Sequence, residues 1–120
     1  METTIYDVHR RARIYLADDA EDAIYTWDGH AVARLDGEQV YGWRGRHIGW
    51  FVDGILYDGT GYRLGFTAKT CPVAPFPEPA KYSRRTPTQR FTHSVPYARP
   101  KFSEGNSLQD LDVFIRQNAP

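Results

Sequence analysis

Between Ile24 and Phe66 apolar and polar residues alternate in short runs, and each run is broken by a glycine-containing pair. Alternation with a period of two predicts half-buried strands, and the breaks predict tight turns. The pattern also repeats. The segments Ile24-Tyr25-Thr26-Trp27-Asp28-Gly29-His30-Ala31-Val32-Ala33, Val40-Tyr41-Gly42-Trp43-Arg44-Gly45-Arg46-His47-Ile48-Gly49 and Leu56-Tyr57-Asp58-Gly59-Thr60-Gly61-Tyr62-Arg63-Leu64-Gly65 align without gaps, each 16 residues after the last. Every copy reads aliphatic, Tyr, two variable residues, a turn residue, Gly, two variable residues, aliphatic, and a small residue.

The pairs Asp28-Gly29, Arg44-Gly45 and Thr60-Gly61 sit between β-favouring stretches, where glycine accepts the positive φ that tight hairpin turns require. Asp36-Gly37 and Asp53-Gly54 turn the chain into the next copy. Ile5-Tyr6 opens an earlier copy, with Ile14 and Leu16 as its second apolar pair. There Arg10 stands in the glycine position and three extra residues are present, so this first copy is expected to be distorted. Two strands per copy give eight short strands. A lone hairpin is marginal in water, so the copies must pool their apolar faces. Small residues at Ala33, Gly49 and Gly65 let neighbouring backbones approach a shared axis, and a closed, petal-like ring leaves no exposed strand edge.

The run from Ile24 to Phe66, and Val40 to Phe51 most specifically, resembles the bacterial four-fold β-flower domain over residues 5 to 67. The resemblance implies four hairpin petals in approximate four-fold symmetry and carries no established activity. The fold class expected is therefore all-β: tandem hairpins in about four petals, followed by an extended tail and a short terminal helix.

After Thr70 the pattern changes. Seven of the eight prolines lie between Pro72 and Pro100, which forbids a central strand or a helix and predicts extended chain. Phe76, Tyr82, Phe91, Tyr97 and Phe102 punctuate it, and plain solvated linkers are poor in aromatics. Ser107 is expected to cap a helix over Leu108 to Gln117, with Leu108, Leu111, Phe114 and Ile115 along one side. So short a helix must dock. The division expected is a hairpin-repeat domain over 1–70, a basic, proline-rich tail over 71–106 and the terminal helix over 107–120.

Charge sharpens this division. The 15 basic and 15 acidic residues cancel overall, yet the chain to Thr70 carries 8 Lys/Arg against 11 Asp/Glu, and the remainder 7 against 4. A body of −3 and a tail of +3 suggest that the tail lies on the body or meets an acidic partner. A single cysteine excludes an internal disulfide, no apolar run reaches the ~20 residues of a membrane helix, and the setting expected is reducing and cytoplasmic.

No constellation points to catalysis or to a cofactor. His30 and His47 fall on opposite strand faces, His9 and His93 are distant in sequence, and no spacing suggests a metal site. Cys71 lacks a histidine or helix N-terminus to activate it. Ser83, Ser94, Ser103 and Ser107 lie outside any nucleophile motif. Asp28, Asp36, Asp53 and Asp58 belong to turns, where Asp serves the backbone. Asp18, Asp19, Glu21 and Asp22 form an acidic connector, read as a solvated loop or a docking point for the tail. Gly42, Gly45 and Gly49 follow the hairpin period and open no phosphate-binding helix.

The reading is thus a non-enzymatic protein-interaction or structural module, with the tail docking on itself, a second copy or a partner protein. Partner contacts are expected from Trp27, Trp43 and Trp50, taken as exposed, from Lys81, Tyr82, Arg84, Arg85, Arg90, Phe91, Tyr97 and Phe102, and from Leu108, Leu111, Phe114 and Ile115. The alternative is nucleic-acid binding, in which the basic and aromatic tail pairs phosphates and stacks bases. Neither membrane nor small-molecule substrate is inferred.

Overall fold

The computed structural model describes residues 2–17, 22–89 and 91–120. Eight strands form, β1 (Thr3–Tyr6), β2 (Ala12–Leu16), β3 (Ala23–Thr26), β4 (Ala31–Asp36), β5 (Gln39–Gly42), β6 (His47–Val52), β7 (Ile55–Tyr57) and β8 (Arg63–Phe66), with one helix, α1 (Leu111–Ile115). Each strand pairs antiparallel with the next, and Tyr6 opposite Phe66 closes β1 on β8, so the sheet is a closed barrel. The hairpins β1–β2, β3–β4, β5–β6 and β7–β8 are four petals. Their registers slip at equivalent places, between Ile5 and Tyr6, Ile24 and Tyr25, Val40 and Tyr41, and Leu56 and Tyr57. A bulge bends a strand and adds twist. Four equivalent bulges curve the sheet into a ring.

The four petal turns are built alike. The amides of Asp7, Thr26, Gly42 and Asp58 donate to the carbonyls of Arg11, His30, Arg46 and Tyr62, and their own carbonyls accept from Arg10, Gly29, Gly45 and Gly61, all at 2.8–3.1 Å. The last four residues have φ of 68°, 92°, 95° and 90°. Arg10 therefore takes up the glycine conformation rather than breaking the turn, at a cost of about 1–2 kcal/mol. The first petal keeps the common turn, contrary to expectation. Ile5 to Ile24 and Arg10 to Gly29 are both 19 residues, so the three extra residues fall in the β2–β3 connector. Asp18, Asp19 and Glu21 of that connector lie outside the described residues.

Ile5, Ile24, Val40 and Leu56 from the four petals meet Ile14, Val32, Ile48 and Leu64 in one buried cluster, which Leu111, Phe114 and Ile115 of α1 join. Small residues make this possible. A Cβ on Gly49 would lie 2.4 Å from the Tyr57 carbonyl oxygen and 2.9 Å from Phe114 Cζ, and one on Gly65 would lie 2.6 Å from Ile5 Cγ2.

The helix starts later than the sequence predicts. Its N-cap is Asp110, whose carboxylate accepts from the amides of Asp112 and Val113 at 2.9 and 3.2 Å. Residues 105–107 cannot be helical because they pair with β8: Arg63 N donates to Gly105 O at 3.0 Å and Ser107 N to Arg63 O at 2.7 Å. Ser107 instead accepts the Gln109 amide. Leu108 consequently lies outside α1 and is fully exposed, at 104%.

Candidate interaction site

From Pro72 the chain is extended and runs round the petal turns as a strap. The amides of Phe76, Arg85, Ser94 and Ser103 donate to the carbonyls of Arg10, Gly29, Gly45 and Gly61 at 3.0, 2.7, 2.7 and 2.9 Å. These donors are spaced by nine residues, and each acceptor is the positive-φ residue of one petal turn. A nine-residue strap repeat thus matches the petal repeat, once per petal. At polyproline pitch three such spans reach about 84 Å, against about 87 Å for three-quarters of the circumference of the molecule's 38 × 36 Å face.

The residue before each of the last three donors lies over a petal tyrosine. The Arg84 guanidinium sits 5.1 Å from the Tyr25 ring centre, His93 stacks on Tyr41 at 4.1 Å and 9°, and Phe102 stacks on Tyr57 at 3.9 Å and 5°. A planar side chain recurs, although its chemistry changes from cation to imidazole to phenyl. The preceding carbonyls crowd the turn glycines: a Cβ on Gly29, Gly45 or Gly61 would come within 2.0 Å of Ser83 O, 2.2 Å of Thr92 O or 3.0 Å of Lys101 O.

Tryptophans secure the strap as well. Trp27 Nε1 donates to Pro79 O and Trp43 Nε1 to Gln89 O, both at 3.0 Å. Trp50 lies edge-on to His47 and Phe102. Trp43 and Trp50 are 1% and 2% exposed and Trp27 is half-buried. The expectation of exposed tryptophans therefore fails at Trp43 and Trp50, because the strap covers the barrel wall that carries them. Leu111, Phe114 and Ile115 are likewise buried in this chain's own core rather than offered to a partner.

Opposite charges meet where the strap and the end of α1 lie on the body. Glu2 pairs with Lys81 at 2.7 Å and with Arg84, Glu38 pairs with Arg99, and Asp28 pairs with Arg116 at 3.3 Å. The hydrogen bond from Lys81 leads the interactions holding the Glu2 carboxyl below its ordinary value. Lys81 also lies 4.8 and 4.9 Å from the ring centres of Tyr15 and Trp27. Phe91 is half-buried against the cluster of Tyr15, Tyr25 and Trp43. Of the remaining predicted contacts, Arg85 is exposed, Tyr82 and Tyr97 are 71% and 65% exposed, and Arg90 lies outside the described residues. Val95, 86% exposed between Ser94 and Pro96, is an outward apolar residue that the sequence reading passed over.

Hairpin barrel, encircling strap and terminal helix together coincide with one family model, described as 4-fold beta flower protein, which matches residues 3–115. The chain belongs to the 4-fold beta flower family. The match runs far past residue 67, where the sequence resemblance ended, and takes in the strap and α1. Neither a curated protein nor a solved structure matches the chain.

The buried carboxylates at the petal turns of this β-flower are occupied in building it. Asp7 and Asp58, at equivalent petal positions, are buried. Asp7 accepts from the amides of His9 and Arg11 and from Arg13 Nε. Asp58 accepts from the amides of Thr60 and Tyr62 and from the Thr60 hydroxyl. Burial pushes both carboxyls up, but those hydrogen bonds, with the Ser107 hydroxyl at Asp58, hold both below their ordinary value.

His47 is buried and neutral in its bonding. Its Nδ1 accepts the Tyr97 amide at 2.9 Å and its Nε2 faces Gly49 O at 2.8 Å. Burial lowers its pKa, partly opposed by the Gly49 bond. The Thr26 hydroxyl donates to the Asp28 carboxylate, which lies 3.5 Å from His30 Nδ1. The hydroxyl thus faces the carboxylate rather than the imidazole, and the order Thr–Asp–His supplies no activated nucleophile. Among the described residues no three potential metal ligands converge, and no helix is long and apolar enough to cross a membrane.

Proposed function

We propose that this β-flower is a non-enzymatic protein-interaction module whose partner meets the outward side of the strap. One observation carries the reading: the strap divides its side chains between those laid on the body (Arg84, His93, Phe102, and Tyr97 against His47) and those held out in solvent (Tyr82, Val95). Its backbone is fixed by amide–carbonyl bonds at all four petal turns, so exposed apolar groups are presented on chain whose backbone ordering, about 1–2 kcal/mol per residue, is already met before a partner binds. Tyrosine in such a setting is a favoured interface anchor.

The nucleic-acid reading has less support, because several of its ingredients are engaged internally. Lys81, Arg84 and Arg99 are ion-paired, and Phe91 and Phe102 lie on the body.

The test is co-purification with tagged full-length protein bearing Tyr82→Ser and Val95→Ser. Loss of the partner captured by wild type, with circular dichroism and melting temperature unchanged, is the result expected. Full retention of that partner by a folded double variant overturns the proposal. A fluorescent oligonucleotide that binds at low salt and is released steeply as salt rises would favour the second reading instead.

A further inference from the structure

We propose that the petal rim is a recognition track for extended chain, reading a backbone amide and a planar side chain once every nine residues, and that the tail of a second copy occupies it by exchange. This does not depend on what the outward residues of the strap meet, because the rim faces the other side of that segment.

The track has three recurring parts. The carbonyl of a positive-φ residue at each petal turn accepts one strap amide. A glycine at three of the four turns leaves room for the strap backbone, which passes so close that a Cβ would collide with it at Gly29 and Gly45 and press on it at Gly61. The repeat tyrosine then supplies a flat ring for Arg84, His93 or Phe102. Two of these parts contact only main chain, and the third accepts three different side chains. Recognition is therefore set by spacing and planarity rather than by residue identity.

Nothing in these contacts requires strap and petals to belong to one molecule. Beyond the hinge, the contacts that hold residues 72–120 are available unchanged to the same segment arriving from another copy, which is the condition for domain swapping. The hinge is short and self-contained. Thr70 N and Cys71 N both donate to Thr67 O, the Thr70 hydroxyl donates to Gly54 O at 2.6 Å, and Pro72 follows. The prolines along the strap keep it extended when detached, which reduces the entropy lost on docking. The occupant is the tail of a second copy because strap and α1 travel together: only a segment that also brings Leu111, Phe114 and Ile115 refills the core it vacates.

The experiment uses the full chain with a protease site inserted after Ala68, cut after folding. A fluorescent synthetic peptide of residues 71–120 is then added in excess and the mixture is passed over a sizing column. The cut halves should stay together and the labelled peptide should exchange into the complex. A peptide lacking Ala98, which shortens the third span from nine residues to eight, should incorporate at least tenfold less, as should a scrambled peptide of equal composition. Separation of the cut halves at micromolar concentration overturns the proposal. So does equal incorporation of the shortened or scrambled peptide. Because both controls alter only the peptide, the body is the same in every arm, and the Ala98 deletion keeps Tyr82 and Val95 in the peptide, so it reads spacing separately from the interaction reading.

Discussion

At the scale of single residues, the same amino acid means different things at different turns. Gly45 and Gly37 both have positive φ, but a Cβ at Gly45 would meet the Thr92 carbonyl at 2.2 Å, whereas at Gly37 it meets only a flexible Gln39 side chain at 3.5 Å. Gly37→Ala should cost about 1 kcal/mol, the backbone term alone, and Gly45→Ala at least about 3 kcal/mol because the strap must also move. Urea denaturation of the two variants compares these directly, and equal losses would mean that the strap does not press on the turn.

His47 sets the response to pH. Its folded pKa lies below the ordinary 6.5 because of burial, so the unfolded chain binds the proton more readily. Stability therefore falls as pH drops below 6.5 and stops falling once the folded imidazole is itself protonated. A proton on Nδ1 would confront the Tyr97 N–H, so the Tyr97 amide signal should shift first in an NMR titration. Asp7 and Asp58 act later. Their folded pKa values lie below the ordinary 3.8, so their contribution is complete above it and is lost as pH falls through the folded values.

At the scale of elements, α1 shows what was legible and what was not. Apolar spacing over Leu108, Leu111, Phe114 and Ile115 announced a docking helix, but both Ser107 and Asp110 are good N-caps, and local sequence cannot choose between them. The choice is made at a distance, by Arg63 pairing with Gly105 and Ser107. Leu108→Ser should accordingly change stability by less than about 0.5 kcal/mol, and Leu111→Ala should cost about 2–5 kcal/mol. Denaturation of both variants checks this; a large loss at Leu108 would restore the earlier helix start.

The hairpins, by contrast, were readable because each is specified within about ten residues by its own turn and alternation. The strap repeat was hidden. Its recurring features are an amide position and a flat side chain, and Arg84, His93 and Phe102 share no identity that an alignment detects. The burial of Trp43 and Trp50 follows from that same hidden repeat, since the strap it lays down covers them.

At the scale of the whole molecule, body and strap carry opposite net charge, yet charge is a minor part of what joins them. The ion pairs at Glu2 and Glu38 involve side chains that are 28–54% exposed, where such pairs contribute between about 0 and 1 kcal/mol each before screening. Backbone hydrogen bonds at all four petal turns, the indole hydrogen bonds of Trp27 and Trp43, stacked rings and a helix in the core outweigh them. Raising sodium chloride from about 0.05 to 0.5 M, some three-fold in Debye length, should therefore shift stability by less than about 1 kcal/mol. Because Leu111, Phe114 and Ile115 complete the core that the petals begin, strap and barrel should melt in one transition. Coincident near- and far-ultraviolet circular dichroism curves would show this, and an early loss of the tertiary signal alone would contradict it.

The strap takes three nine-residue steps from petal to petal over three-quarters of the ring, against a petal repeat of 16 residues from the second petal onward. Petal number and strap length are therefore locked together. Duplicating a hairpin would leave a turn carbonyl without its amide, and lengthening the strap alone would leave an amide without its carbonyl. A change in the order of this ring requires two coordinated duplications at separate places in the gene, of 48 and 27 nucleotides at three per residue. Single insertions of either kind are penalised from the other side, which confines surviving length changes to segments that the strap does not measure, such as the β2–β3 connector where the three extra residues already lie.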